Sequence, residues 1–135
     1  MQIDDIIWCA DLFNRAGQVF YYRQEPHPRT QHVACGMQCF VHQNLSNVEI
    51  LKRFQHIVEM GEIKNYENQY RLVFKTKEVN PLFLILQPYL GEAKLSDFRF
   101  TLLAYDSHDS KATKDDWDRV NAKWEKKLNK DKETE

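Results

Sequence analysis

The hydrophobic residues of this 135-residue chain are distributed very unevenly along its length. Residues 1–105 contain 51 of the 57 hydrophobic residues, whereas residues 106–135 contain six, among eight basic and nine acidic residues. Because burial of apolar side chains drives folding, only the first part of the chain can supply a hydrophobic core. We therefore predict one domain, in which residues 1–108 form a globular α+β body and residues 109–135 form a charged C-terminal helix with a frayed end.

The overall composition excludes several broad classes of protein. The chain has 19 Lys and Arg against 20 Asp and Glu, which excludes a polybasic protein that binds nucleic acid by bulk charge. A hydrophobic content of 42% excludes an acidic disordered chain. The three cysteines cannot all pair, so we expect free thiols in an intracellular compartment, cytoplasmic or nuclear. The longest apolar run, residues 82–86, is too short to cross a membrane.

The N-terminal part of the chain is predicted to contain one ambiguous segment and two strands. Residues 3–16 fit either a helix or a strand, and the acidic start together with Gly17 at the end favours the helix. Aromatic and β-branched residues predict a strand over residues 18–24. A strict period of two in apolar residues predicts a longer strand over residues 31–43, with its odd-numbered positions facing the core.

The most clearly defined element is an amphipathic helix over residues 47–60. Ser46 and Glu49 have the spacing of a capping box, in which each side chain accepts a hydrogen bond from a free backbone amide. Gly61 is expected to end the helix. The apolar side chains recur at helical spacing on one face: Ile50, Leu51, Phe54, Ile57 and Val58.

Three more strands and a final helix are predicted after this element. Residues 70–75 and 98–104 alternate in polarity, and residues 82–86 are apolar on both faces, as in a central strand. A last helix is expected to begin near Lys114. The order predicts an α+β fold with a single, mostly antiparallel sheet of five to six strands, a mid-chain amphipathic helix and a C-terminal helix. The alternative is an OB-like barrel with added helices, since that fold also places a helix midway through its strands.

Four potential zinc ligands lie close together in the sequence: His32, Cys35, Cys39 and His42. A structural zinc site needs four ligands around one tetrahedral centre. On a strand, the two cysteines would face one side and the two histidines the other, so the four could not share an ion. We therefore interpret them as buried cysteines and surface histidines, and we assign no metal.

The sequence contains no recognisable catalytic motif. Residues 106–110 include the Asp, Ser and His of a hydrolase triad, but a triad aligns groups from separate segments, and a solvated connection explains this run. A phosphate-binding glycine loop and an H-E-x-x-H motif are absent from the sequence. We predict a non-enzymatic protein without a cofactor, and a small enzyme with dispersed catalytic residues is the second alternative.

Basic residues alternate with aromatic residues in several of the predicted strands. If those strands were neighbours, they would present a face that stacks bases and neutralises phosphates. Tyr22, Arg23, Lys75 and Arg99 form this candidate nucleic-acid face, and Arg71 adds an exposed cation. Ordinary alternation, with aromatic side chains inward and cations outward, explains the same pattern more simply.

The predicted C-terminal helix carries a narrow apolar stripe: Trp117, Val120, Trp124 and Leu128. The stripe must be buried either on the domain's own sheet, which is the simpler arrangement, or in an interface, where tryptophan commonly anchors binding. From this stripe we predict a protein-binding module, such as an adaptor, inhibitor or assembly subunit. Its partner would be another protein or a second copy of itself, and single-stranded nucleic acid is the alternative.

Overall fold

A computed structural model describes residues 1–23, 28–30 and 35–106 of the chain. The elements, in chain order, are α1 (Ile3–Ala16), β1 (Gly17–Arg23), β2 (Cys35–Gln43), α2 (Val48–Val58), β3 (Glu62–Tyr66), β4 (Gln69–Phe74), α3 (Thr76–Leu86), a 3₁₀ turn (Gln87–Tyr89) and α4 (Glu92–Asp106). The strands form one antiparallel sheet in the order β1-β2-β4-β3. The α+β class is confirmed. The sheet of the described residues has four strands rather than five to six, and it is open rather than closed into an OB-like barrel.

Helix α1 confirms the helical interpretation of residues 3–16. Asp4 and Asp5 lie in its first turn, where negative charge interacts favourably with the helix dipole. Gly17 does not adopt the left-handed conformation of a helix-ending glycine, because its φ is −88° and its backbone is extended. A Cβ atom on Gly17 would overlap the ring of Phe13, so the close approach of β1 to α1 is what requires glycine here.

Helix α2 lies where its apolar stripe places it, but the predicted capping box does not form. The helix begins at Val48, and the side chain of its N-cap residue, Asn47, makes no capping hydrogen bond. Ser46 instead donates hydrogen bonds from its backbone N and its Oγ to Oδ1 of Asn44, at 3.2 and 2.7 Å. Glu59 ends the helix in the left-handed conformation, with a φ of 56°. The buried residues of the helix are Leu51, Phe54 and Val58.

Residues 82–86, predicted as the central strand, lie in helix α3. A short run that is apolar on all sides fits a buried strand and a buried helix equally well, so periodicity alone does not separate them. Pro81 lies inside α3, where it removes one backbone hydrogen bond. The buried residues of α3 recur at helical spacing: Val79, Leu82, Phe83 and Leu86.

Residues 98–104, also predicted as a strand, lie in helix α4. The alternation of Phe98, Phe100, Leu102 and Ala104 suggested a period of two, but the buried residues are Phe98, Thr101 and Ala104, three positions apart. That spacing places one helical face against the protein. None of the helices in the described part of the chain combines the length and hydropathy needed to span a membrane.

The hydrophobic core lies between the helices and one face of the sheet. Alternate residues of each strand are buried there, at odd-numbered positions in β1 and β2 and at even-numbered positions in β4: Val19, Met37, Cys39, Val41, Leu72 and Phe74. The ring of Phe98 packs against Phe13 and Phe83, with centroid separations of 5.0 and 5.3 Å. These aromatic contacts connect α1, α3 and α4 into one layer over the sheet.

Two cysteine thiols belong to this core. Burial raises the pKa of Cys9 to about 12, and the charge of Asp5 adds to the increase while Arg53 opposes it. Burial also raises the pKa of Cys39. Both thiols therefore remain protonated near neutral pH, and they pack as small apolar side chains.

Candidate nucleic-acid interface

The sheet has a second face, which we call the open face. Side chains alternate between the two faces of a strand, so the strand positions that do not enter the core point to this side. In the described residues these side chains are exposed or half-buried, apart from Gly36, which Tyr22 covers. The open face consists of Gln18, Phe20, Tyr22, Gly36, Gln38, Phe40, His42, Glu62, Lys64, Tyr66, Gln69, Arg71 and Val73.

The strand register places nitrogen-bearing side chains in one row across the open face. His42 of β2 lies opposite Arg71 of β4, and Arg71 lies opposite Lys64 of β3. Neighbouring strands are about 4.8 Å apart, so these three side chains lie within roughly 10 Å along the row. Glu62, on the edge strand, is the acidic residue of the open face as far as the structure describes it. The row is therefore a basic region on a mainly uncharged surface.

Arg71 lies against two aromatic rings, and we call Phe40, Arg71 and Tyr66 the Arg71 stack. The guanidinium carbon, Cζ, lies 4.3 Å from the ring centroid of Phe40 and 4.4 Å from that of Tyr66. Strand β4 runs between β2 and β3, so the two rings reach Arg71 from the strands on either side. Cation–π attraction to both rings favours one orientation of the planar guanidinium group.

The polar groups of Arg71 have no protein partner among the described residues. Its Nε is buried and has no hydrogen-bond acceptor there. The ion pairs in the same part of the chain join Lys52 to Glu49 and Arg53 to Asp5, and they do not involve Arg71. Leaving a buried donor unpaired costs about 1–3 kcal/mol, so the free protein holds a guanidinium group in an incompletely satisfied state.

The Arg71 stack borders an open depression of about 450 Å³. Carboxamides dominate its lining, and among the residues that the structure describes the lining contains no carboxylate: Gln18, Phe40, His42, Gln43, Asn44, Asn68, Gln69 and Arg71. A carboxamide both donates and accepts hydrogen bonds, and it carries no charge. The depression can therefore form several directed hydrogen bonds to a polar, planar ligand without repelling an anion.

The structure places the four residues of the predicted nucleic-acid face in different parts of the molecule. Tyr22 lies on the open face, where its hydroxyl approaches Gly36 closely enough to exclude a Cβ atom there. Arg23 pairs with Cys35 at the end of β1. Lys75 follows β4 as the N-cap of α3, and Arg99 belongs to α4, in the helical layer. These four residues therefore do not form one surface, because residues 98–104 are not a strand.

Sequence reasoning missed most of the residues that the open face brings together. The sequence patterns did not indicate Phe40 or the carboxamides around the depression; they indicated His42 only as a candidate zinc ligand and Arg71 only as an exposed cation. The available signal was the even-numbered face of residues 31–43, where Gln38, Phe40 and His42 oppose the apolar odd-numbered face. The pairing of this strand with β4 brings Phe40 to Arg71, and that pairing is not encoded in either segment alone.

The candidate zinc ligands lie on different sides of β2 or outside the described residues. Cys39 is fully buried on the helical side, whereas His42 lies on the open face. Cys35 has the same parity as Cys39, and His32 lies outside the residues that the structure describes. In the described part of the chain, no three His, Cys, Asp or Glu side chains come together in a group that could hold a metal ion.

The predicted partner-binding stripe lies outside the described residues. This applies to Trp117, Val120, Trp124 and Leu128, and to the whole of the helix predicted over residues 109–135. The division of the chain into residues 1–108 and 109–135 therefore stays a prediction.

Solved structures with the same fold are homing endonucleases. The homing endonuclease I-CvuI, in complex with a DNA target, matches with a TM-score of 0.70 and 13% sequence identity, over 91% of this chain and 98% of that chain. The intron-encoded homing endonuclease I-CeuI, complexed with DNA, matches with a TM-score of 0.67 and 8% identity, over 78% and 55% of the two chains. The LAGLIDADG meganuclease I-CpaMI, bound to uncleaved DNA, matches with a TM-score of 0.66 and 16% identity, over 75% of this chain and 35% of that one.

These comparisons show that the chain has a LAGLIDADG-like fold. At sequence identities of 8–16%, the similarity shows a shared fold but no shared activity or residue role. No protein-family model matches the sequence, and no curated protein matches it. The chain spans about a third of the length of I-CpaMI but nearly all of the I-CvuI chain, so one fold unit of this size occurs in chains of very different length.

The fold corrects two predictions made from the sequence. The prediction of a non-enzymatic protein-binding adaptor is wrong, because the fold is shared with endonucleases solved on DNA. The expectation that the partner is another protein or a second copy is also wrong, because the similar structures I-CvuI, I-CeuI and I-CpaMI were solved with DNA. Both errors came from treating the lack of a local catalytic motif as evidence about function, whereas the relevant surface is assembled from four strands.

The homing endonuclease I-CvuI was solved on DNA in the presence of Mg and of Ca, so we tested whether this chain could hold a divalent metal ion. The described residues of this chain do not fit such an ion, since they provide no group of three suitable ligands. We therefore derive no cleavage step for this chain through a metal ion.

Proposed function

We propose that this protein binds double-stranded DNA through the open face of its sheet. The observation that carries the proposal is the composition of that face: a row of His42, Arg71 and Lys64 beside a depression whose described lining is rich in carboxamides and contains no carboxylate. Arginine and the carboxamides of Asn and Gln are the side chains that pair best with base edges in the major groove. Lysine neutralises phosphates.

The dimensions of the open face fit the major groove of DNA. The groove is about 12 Å wide and admits a two-stranded β-ribbon. Strands β2 and β4 form such a ribbon, paired antiparallel from Cys39–Phe74 to Gln43–Tyr70. The polar residues His42 and Arg71 lie within this paired stretch.

The aromatic residues favour duplex over single-stranded DNA. A single-strand binding face needs uncovered rings on which bases can stack. Here the guanidinium group of Arg71 lies over Phe40 and Tyr66, and Tyr22 lies over Gly36. Phe20 and Tyr66 are 42% and 40% exposed, and the guanidinium group of Arg71 lies over one face of the Tyr66 ring. Hydrogen-bonding edges rather than ring faces therefore dominate the surface around the depression.

The similar structures support the proposal in a general way. I-CvuI, I-CeuI and I-CpaMI were each solved with DNA. The proposal for this chain is restricted to binding, because the described residues support binding chemistry without supplying a metal site. Incubating the full chain with duplex DNA and Mg²⁺ tests for cleavage separately, and cut strands would extend the proposal to a nuclease.

The binding proposal is tested by fluorescence anisotropy with the full chain. A labelled duplex of mixed sequence should bind at low salt, bind more tightly than either separate strand, and dissociate as salt rises. Lys64→Ala, on the open face, should weaken binding to all duplexes alike and reduce the salt slope by about 1. Lys52→Ala removes the same charge from an exposed position on α2 and should leave binding unchanged.

Three results would contradict the proposal. The first is the absence of binding to any duplex at low salt. The second is equal weakening by Lys64→Ala and Lys52→Ala, which would indicate attraction by net charge rather than by the open face. The third is tighter binding to single strands, which would favour the single-stranded alternative.

A further inference from the structure

We propose that Arg71 is a specificity-determining residue that reads the edge of a guanine base, and that Phe40 and Tyr66 are positioning residues that hold its guanidinium group for this contact. This inference rests on the proposed duplex binding and goes further, because it assigns one base to one side chain. It starts from an unusual state: a half-buried guanidinium group with two ring contacts and no polar partner among the described residues.

The unsatisfied state of Arg71 indicates a ligand that accepts hydrogen bonds. Arginine has five N–H donors in a fixed fork and accepts none. Cation–π contacts at 4.3 and 4.4 Å balance part of the charge but do not replace hydrogen bonds, and the Nε of Arg71 has no acceptor among the described residues. Among the groups of duplex DNA, those that match the fork are a phosphate group and the O6 and N7 atoms of guanine.

The surroundings of Arg71 favour the guanine edge over a phosphate. Phosphate contacts tolerate a mobile cation, as lysine provides, because the charge matters more than the angle. The Arg71 stack instead restricts the plane of the guanidinium group, which matters for a planar base edge. Gln18, Gln43 and Gln69 around the same depression are further base-reading side chains, and Lys64 in the adjacent strand is available for the backbone.

The inference is tested by selecting duplexes from a randomised pool with the full chain. The wild-type protein should enrich a motif that contains a guanine. Arg71→Gln should lose the preference for that guanine and retain the rest of the motif. A bidentate contact of this kind discriminates by roughly 5- to 150-fold between guanine and the other bases, and that ratio should fall close to one in the variant.

Two further variants separate recognition from charge and from folding. Arg71→Lys keeps the charge without the fork, so it should also lose the guanine preference while binding non-specific DNA at nearly wild-type strength. Phe40→Leu should reduce discrimination at the same position although Arg71 is still present, whereas Tyr66→Phe, which keeps the ring, should retain it. Matching circular dichroism spectra and unfolding midpoints establish that the variants fold.

The outcomes distinguish this inference from the proposed function. If Arg71→Gln weakens all duplexes uniformly and leaves the motif unchanged, Arg71 contacts phosphate and the inference is wrong. If the wild-type protein binds duplexes without any guanine preference, the inference is wrong and the proposed function stands. If no duplex binds, both are wrong.

Discussion

The two faces of the sheet differ in nearly every physical property, although they belong to the same strands. The helical face buries Cys39, Val41 and Leu72 completely, and its contacts are apolar. The open face carries Arg71, whose buried Nε has no acceptor in the part of the chain that the structure describes, beside amide side chains and other cations. The helical face therefore stabilises the fold, whereas the open face carries polar groups whose hydrogen-bonding capacity the fold does not satisfy. Substitutions on the two faces should therefore separate stability from binding.

The strongest test of this separation is the same substitution on each side of the sheet. Phe98→Ala removes a fully buried ring that packs on Phe13 and Phe83, so the free energy of unfolding should fall by about 3–5 kcal/mol. Phe20→Ala removes a ring that is 42% exposed on the open face and should cost less than about 1 kcal/mol. Urea denaturation measures both values. Equal losses of stability for the two variants would contradict the view that only the helical face stabilises the fold.

A smaller effect is expected where α1 meets the sheet. Gly17→Ala places a methyl group against the ring of Phe13, and such overpacking costs about 1–3 kcal/mol. Gly91→Ala is the matched control, because its Cβ atom would lie 3.5 Å or more from Asn14, which is an ordinary contact. Denaturation midpoints of the two variants measure the difference. A neutral Gly17→Ala would show that Phe13 relaxes and that the close approach is not required.

The smallest effect concerns the pH dependence of the helical layer. Burial raises the pKa of Asp97 on α4, and the charge of Lys94 partly opposes the increase. The folded protein therefore binds this proton more tightly than the unfolded chain, so the associated stability is present at low pH and is lost as pH rises through the folded pKa. Asp97→Asn should remove this small decline. Unfolding midpoints measured from about pH 3 to 6 test it, and parallel curves for wild type and variant would contradict it.

Local patterns predicted some of these elements correctly and failed for others. Residues 31–43 and residues 47–60 each combine one apolar face with one polar face, so the period of each segment can be recognised in the sequence. Residues 82–86 are apolar on every side, and residues 98–104 have large residues at both helical and strand spacings. The residues of α3 and α4 that become buried do recur at helical spacing, but further apolar residues at the other positions obscure this period in the sequence.

The candidate site was harder to predict than the fold, because its parts come from different strands. Arg71 was noticed as a cation, but its contacts with Phe40 and Tyr66 depend on the order β2-β4-β3. Arg99 was grouped with the strand residues only because its segment was taken for a strand. Pairing between distant segments is thus the information that single-segment reasoning lacks.

The central claim, that the open face binds duplex DNA, is tested most directly by following side-chain amide signals in an NMR titration. Gln18, Gln43 and Gln69 line the depression, whereas Gln55 lies on α2 and donates from Nε2 to the carbonyl oxygen of Gly61 at 2.9 Å. On addition of duplex, the signals of the first three should shift and that of Gln55 should stay constant. A shift of Gln55 with no change in the other three would place DNA on the helical side and contradict the claim.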